Sequence, residues 1–185
     1  MIRGLYGIAD DSFGDPVRAA RWLVEGGACA VQVRCKGAST QQIAEHLRAL
    51  GSLGVPLLVN DHPELAELAD GVHLGQEDGP FPPRCGLRGR STHSLDQLRR
   101  AMDEGVDYVG FGPIFPTSTK SNAGAPLGLA LLEQAVGLST VPIVAIGGIG
   151  PEALPALRET GVAAWAIVSA ILGAPDVVAA ARRCA

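Results

Sequence analysis

Apolar, β-branched-rich runs recur along the chain at 3–9, 28–33, 56–59, 71–74, 87–90, 107–111, 141–146 and 163–168, and they predict eight strands. Several of them, including PLLV, PIVAI and AAWAIV, show no polar alternation, as expected for parallel strands covered on both faces. Helical signals fill most of the gaps. Asp15 and Pro16 open an amphipathic stretch that Gly26 and Gly27 close; Ser39 and Thr40 precede QQIAEHLRAL, and Ser94 precedes LDQLRRAMDEG. Pro151 fits the first turn of EALPALRETG, which has Pro155 inside it, and Pro175 and Asp176 begin a last helix.

This repetition predicts an α/β fold with parallel strands joined by crossovers. A closed (β/α)8 barrel is favoured over an open sheet, because closure removes both sheet edges. No interior linker or composition shift divides the chain, so residues 1–185 are expected to form a single domain. Such barrels commonly need about 250 residues. The expectation is therefore a compact TIM barrel with shortened helices and a short amino terminus, in which GPFPPRCG holds little helix.

Composition narrows the function. A chain that is 47% hydrophobic can bury a full core, whereas 18% charged residues and a net charge of -4 do not supply the basic surplus of a nucleic-acid footprint. Four Phe, two Tyr and two Trp are too few for a base-stacking platform. The amino end, MIRGLYGIADD, has no long apolar stretch, and no apolar run approaches the roughly 20 residues of a membrane span. A cytoplasmic protein without a membrane partner is expected. Cys29, Cys35, Cys85 and Cys184 lack CxxC spacing and read as reduced thiols, not as a zinc site. Apolar surface on compact outer helices leaves a homo-oligomer as a further expectation.

The candidate chemistry lies where strands end, the face on which such barrels carry their sites. YVGFGPIFPTSTK begins as a strand and stops at Pro113 and Pro116; the hydroxyls of Thr117, Ser118 and Thr119 and the ammonium of Lys120 follow. That exit suits an anion such as phosphate. Strand 2 ends in Gln32, Arg34 and Lys36, strand 3 in Asn60 and Asp61, strand 4 in His73, Gln76, Glu77 and Asp78, and strand 5 in Ser91 and His93. Arg34 and Lys36 share one face of an extended segment and would repel each other without an anion between them; a solvated strand end is the plain alternative. Asp61 and Asp78 could supply oxygen ligands to Mg2+ that also bridges to phosphates, or serve as helix caps. Gly147 and Gly148 in AIGGIG allow close backbone approach to an oxyanion, or simply make a turn. With Val168 and Ser169 after strand 8, they occupy the common phosphate position of this barrel. His93 suits acid–base work or a structural hydrogen bond.

Taken together, VQVRCKG, LLVNDHPELA, DGVHLGQED, RSTHS, YVGFGPIFPTSTK, APLGL, VAIGGI and VSAI, in this order, resemble the thiamine phosphate synthase family across nearly the whole chain. The resemblance implies condensation of a hydroxymethylpyrimidine diphosphate with a thiazole phosphate, giving thiamine monophosphate and diphosphate by a dissociative displacement without a protein nucleophile. By matching position it implies that Gln32, Arg34, Lys36, Asn60, Ser91 and Lys120 bind the pyrimidine diphosphate, that Asp61 and Asp78 hold Mg2+, and that Thr117, Ser118, Thr119, Gly148, Val168 and Ser169 hold the thiazole phosphate. Arg34, Lys36 and Lys120 would act on the departing diphosphate.

Three features depart from the family pattern: Cys35 stands where an acidic residue is usual, GIAD replaces a Thr before Asp, and segment 62–70 is short. Two alternative functions stand beside this one, although a tautomerase, which GRSTHS and IADDS partly resemble, need not retain Asn60, Asp61, GQED and PTSTK. A thiazole tautomerase would use His93 as acid and base, and a noncatalytic protein would bind the phosphate ligands without turnover.

Overall fold

A computed structural model describes residues 2–83, 85–117, 119 and 124–185. Eight parallel strands pair in sequence order and close: β1 (Gly4–Asp10), β2 (Ala30–Arg34), β3 (Leu57–Asn60), β4 (Gly71–Leu74), β5 (Leu87–Thr92), β6 (Tyr108–Phe111), β7 (Ile143–Ile146) and β8 (Ala164–Ala166). The ring is completed by Gly4 opposite Ala164 and Leu5 opposite Trp165. This is the (β/α)8 barrel that the apolar runs predict. Its eighth strand stops two residues earlier than expected, so Val168 lies in the loop beyond it.

Alternation sorts each strand into two layers. One residue set, with Tyr6, Ile8, Ala30, Leu58, Tyr108, Val144, Ala164 and Ala166, packs into a single cluster inside the barrel. The other, including Leu5, Val31, Val33, Leu57, Val59, Val72, Val109, Phe111 and Trp165, packs beneath the helices. Large and small residues complement each other inside. A Cβ on Gly89 would lie 2.2 Å from the Tyr108 ring, so the glycine makes room for the largest side chain of the floor.

The helices are α1 (Pro16–Glu25), α2 (Thr40–Leu50), α3 (Leu95–Asp103), α4 (Gly128–Leu138), α5 (Leu154–Glu159), α6 (Ser169–Leu172) and α7 (Val177–Cys184). The polar residues singled out from sequence do cap them. Asp15 accepts from the Val17 amide, Ser39 forms a capping box with Gln42, Ser94 accepts from Gln97 and Asp176 from Ala179. The helix around Pro155 is split: a 3-10 turn, Pro151–Ala153, runs into α5. Pro155 therefore sits in a first turn, where its missing N–H is no loss.

Economy of length falls on two crossovers. The β3–β4 connection is a 3-10 segment, Pro63–Leu68, and the β4–β5 connection contains no helix among the described residues. Among the described residues, Phe13 is the one exposed large hydrophobic side chain, while Leu129, Leu131, Val136 and Leu138 of α4 are partly buried. No helix among them is long and apolar enough to cross a membrane.

Candidate active site

The carboxyl ends of the strands gather the charged residues into adjoining pairs. Arg34, the last residue of β2, lies in register with Asp10 at the end of β1, and the two side chains form an ion pair. Asp10 is almost fully buried, and its other bonds come from the Ser12 amide at 3.0 Å and the Ser12 hydroxyl at 2.5 Å. Lys36 lies beyond the strand and pairs with Asp61, while the Lys36 and Gly37 amides donate to Asp11, each at 3.2 Å. The two cations do not depend on a shared anion to coexist: each has its own carboxylate. Sequence spacing missed this because Asp10 meets Arg34 only through strand register.

Asp61 is the one non-glycine residue with positive φ, 59°, among the described residues. Asp tolerates that region, and such conformations concentrate at functional sites. Its carboxyl is within hydrogen-bonding contact of Asp78. Burial acts to raise the Asp61 pKa, but hydrogen bonds with Lys36 and Asp78 outweigh it and leave the group below its ordinary value. Asp78 moves the other way, raised by burial and then by Asp61.

That donor set fits Mg2+. The ion takes hard oxygens, is commonly held by one or two protein carboxylates, and completes its shell with water and phosphate. Among the described residues no cluster of three or more His, Cys, Asp or Glu side chains is assembled. Asp78 is also anchored by the Gly75 amide at 2.5 Å.

A polar chain forms the floor. Gln32 lies close enough to the Tyr6 hydroxyl to oppose the rise in its pKa caused by burial, and that hydroxyl meets the Tyr108 hydroxyl at 2.7 Å. Tyr108 contacts His73 Nδ1 at 2.9 Å, and His73 Nε2 contacts the Ser91 hydroxyl at 2.9 Å. Gln32 and Ser91, distant in sequence, are thereby ends of one network. Asn60 stands beside His73 in the register of β3 and β4, and Gln76 donates to the Ser91 carbonyl at 2.5 Å. Tyr6 and Tyr108 escaped sequence reasoning because aromatic residues in apolar runs read as core; Tyr6 lies one strand from Gln32 and Tyr108 two strands from His73, inward positions that require the closed sheet.

On the opposite rim, Gly147 and Gly148 have φ of 97° and 65°. A Cβ on Gly148 would approach the Pro116 carbonyl oxygen to 2.3 Å, so the glycines lock the β7 exit against the β6 exit. Thr117 accepts from the Thr119 amide at 3.3 Å. Val168 precedes α6 and Ser169 begins it. Ser118 and Lys120 lie outside the described residues.

His93 Nδ1 donates to the Gly112 carbonyl at 2.6 Å, and its amide donates to Gln97. Cys35 does not face the mouth. It is buried in the layer beneath the helices, 3.9 Å from His46 Nδ1. Burial, then the charges of Asp11 and Asp10, push its thiol up to about 12, which leaves it protonated and unsuited to nucleophilic work.

Residues 5–171 match the protein family described as Thiamine monophosphate synthase. A thiamine-phosphate synthase of Anaeromyxobacter dehalogenans is 42% identical over 193 aligned positions, covering 98% of this chain and 86% of its own. One of Chloroflexus aurantiacus is 44% identical over 181 positions, with 90% and 84% covered. The solved structure of a thiamine phosphate pyrophosphorylase from Pyrococcus furiosus superposes with a TM-score of 0.90 at 35% identity, covering 98% of this chain and 93% of that one. A geranylgeranylglyceryl phosphate synthase from Thermoplasma acidophilum, 12% identical with a TM-score of 0.75, shares the fold alone. Barrel, mouth chemistry and relatives agree along nearly the full length: the chain belongs to the thiamine monophosphate synthase family.

Proposed function

We propose that the protein is a transferase that condenses 4-amino-5-hydroxymethyl-2-methylpyrimidine diphosphate with 4-methyl-5-(2-phosphoethyl)thiazole to give thiamine monophosphate and diphosphate, or with its carboxylated form, whose carboxyl group then leaves as carbon dioxide. The observation that carries this reading is the contact of Asp61 with both Lys36 and Asp78 at the mouth. Opposed charges of this kind suit a metal–diphosphate group, which places positive and negative charge side by side.

In this reading Gln32, Asn60 and Ser91 orient the pyrimidine diphosphate over the polar floor. Arg34, Lys36 and Lys120 face its phosphates; Lys36, 54% exposed in its side chain, can swing from Asp61 to a phosphate oxygen. Asp61 and Asp78 would hold Mg2+, which supplies Lewis-acid neutralisation of the diphosphate. The bond between the pyrimidine methylene and the diphosphate oxygen breaks with its electron pair leaving on oxygen. The thiazole nitrogen lone pair then forms the new carbon–nitrogen bond. Thr117, Ser118, Thr119, Gly148, Val168 and Ser169 hold the thiazole phosphate so that this nitrogen faces the methylene. Positioning, charge stabilisation and exclusion of water are the protein's contributions. No nucleophilic side chain is needed, in keeping with the buried, protonated Cys35.

Asp61→Ala tests the assignment. Condensation should fall by at least about 100-fold, the scale on which loss of one preorganised electrostatic contact acts, with an unchanged circular dichroism spectrum. A wild-type rate in a folded variant would contradict it.

A further inference from the structure

Arg90 is a buried cation that the reaction above does not use. It sits on the outer face of β5, is only 4% exposed, and neighbours the apolar layer beneath the helices. A guanidinium in such a place is tolerated only when its donors are matched. Nε and Nη2 donate to Glu104 at 3.0 and 2.8 Å, Nη1 donates to the Gly75 carbonyl at 2.7 Å, and Nη2 donates to the Gly79 carbonyl at 3.0 Å. Its Cζ lies 4.7 Å from the centroid of the Phe81 ring. One side chain thus grips the β4–β5 connection at three points.

That connection carries Asp78 between the two gripped glycines. It has no helix among the described residues to stiffen it, and Asp78 itself is tied to the Gly75 amide. We infer that Arg90 is the positioning residue that fixes Asp78 for divalent-cation binding. Its planar fork reaches two carbonyls and a carboxylate together, which an ammonium cannot do. Mg2+ requires near-octahedral geometry, so a carboxylate on an untethered loop would bind it poorly. Groups that orient a ligand without touching the ion commonly set affinity in this way. Glu104, at the end of α3, neutralises the guanidinium and links the metal loop to the helix layer.

The inference rests on the assignment of Asp61 and Asp78 to Mg2+. Its test is titration of Mn2+, observed by electron paramagnetic resonance, into the full chain with inorganic diphosphate. The wild type, Arg90→Lys, Arg90→Met and Glu104→Gln are compared, with thermal melts and condensation rates against Mg2+ concentration alongside. Arg90→Lys should weaken Mn2+ binding by about tenfold or more and raise the Mg2+ requirement, with the rate recovering at high Mg2+; Glu104→Gln should act in the same direction and less. Unchanged Mn2+ affinity in the folded Arg90 variants, or a lost rate that Mg2+ does not restore, overturns the role. If neither Arg90 variant folds, Glu104→Gln decides, and unchanged affinity there overturns it. A wild type that binds no Mn2+ defeats the metal assignment and this inference with it, whereas wild-type binding with unaffected variants defeats the inference alone.

Discussion

At the scale of single residues, Asp78 and Asp61 are held on opposite sides of the ordinary carboxylate range. A carboxyl with a raised folded pKa contributes stability below its unfolded pKa, and that contribution is lost as pH rises through the folded value. Ionised Asp78 is therefore unfavourable to the metal-free fold at neutral pH. Asp78→Asn, which mimics the protonated form, should raise the melting temperature of metal-free protein at pH 7, lose that advantage near pH 3, and bind Mg2+ more weakly. Calorimetric melts at both pH values, with and without Mg2+, check all three. The floor network makes a separate prediction. Tyr108→Phe removes the oxygen that meets both the Tyr6 hydroxyl and His73 Nδ1, and the loss of these two hydrogen bonds should cost about 1–3 kcal/mol in urea denaturation. An unchanged midpoint would show that the chain of bonds is dispensable. Gln32, Asn60, Asp61, Asp78 and Ser91 could be named as candidates from sequence because each is a polar residue at or just past the end of an expected strand. Sequence hid Asp10, whose partner Arg34 lies 24 residues away, Tyr108, whose partners lie 35 and 102 away, and Arg90, whose partners lie up to 15 away, all brought near by the closed fold.

At the scale of elements, the β6 and β7 exits behave as one unit. The Ile114 amide donates to Ile146 and the Phe115 amide to Gly147, both at 2.9 Å, and Gly148 lets the Pro116 carbonyl pass within its missing side chain. Gly148→Ala would force a left-handed conformation costing about 1–2 kcal/mol and would also push the Pro116–Thr117 segment outward. A lower melting temperature and a KM for the thiazole phosphate that rises more than that for the pyrimidine diphosphate are expected. Steady-state kinetics with each substrate varied would read the difference, and an equal rise in both would argue against a thiazole role for this rim. Helix starts were legible because a cap is a local bond, as Asp15, Ser39, Ser94 and Asp176 illustrate. The β4–β5 crossover, which has no helix among the described residues, was only partly legible: GPFPPRCG signals that lack, but nothing local signals the grip of Arg90.

Across the whole molecule, closure converts eight short strands into a site. Asp10 and Ser169 stand near opposite ends of the chain, yet both reach the same mouth because β1 pairs with β8. The rule that ligands meet the carboxyl ends of barrel strands let the mouth be found before any distance was known. Which cation meets which carboxylate could not be found in that way, since Arg34 and Lys36 are two residues apart but take partners from β1 and from the end of β3. Cys35, between them, turns outward, so the departure from the family pattern at that position leaves the mouth intact. The central claim is a metal-dependent condensation, and its most direct test is incubation of both substrates with and without Mg2+, scored for thiamine monophosphate. The account predicts product that requires Mg2+ and disappears in Asp61→Ala. Binding of both substrates without product, or thiazole isomerisation that depends on His93 without condensation, would contradict it.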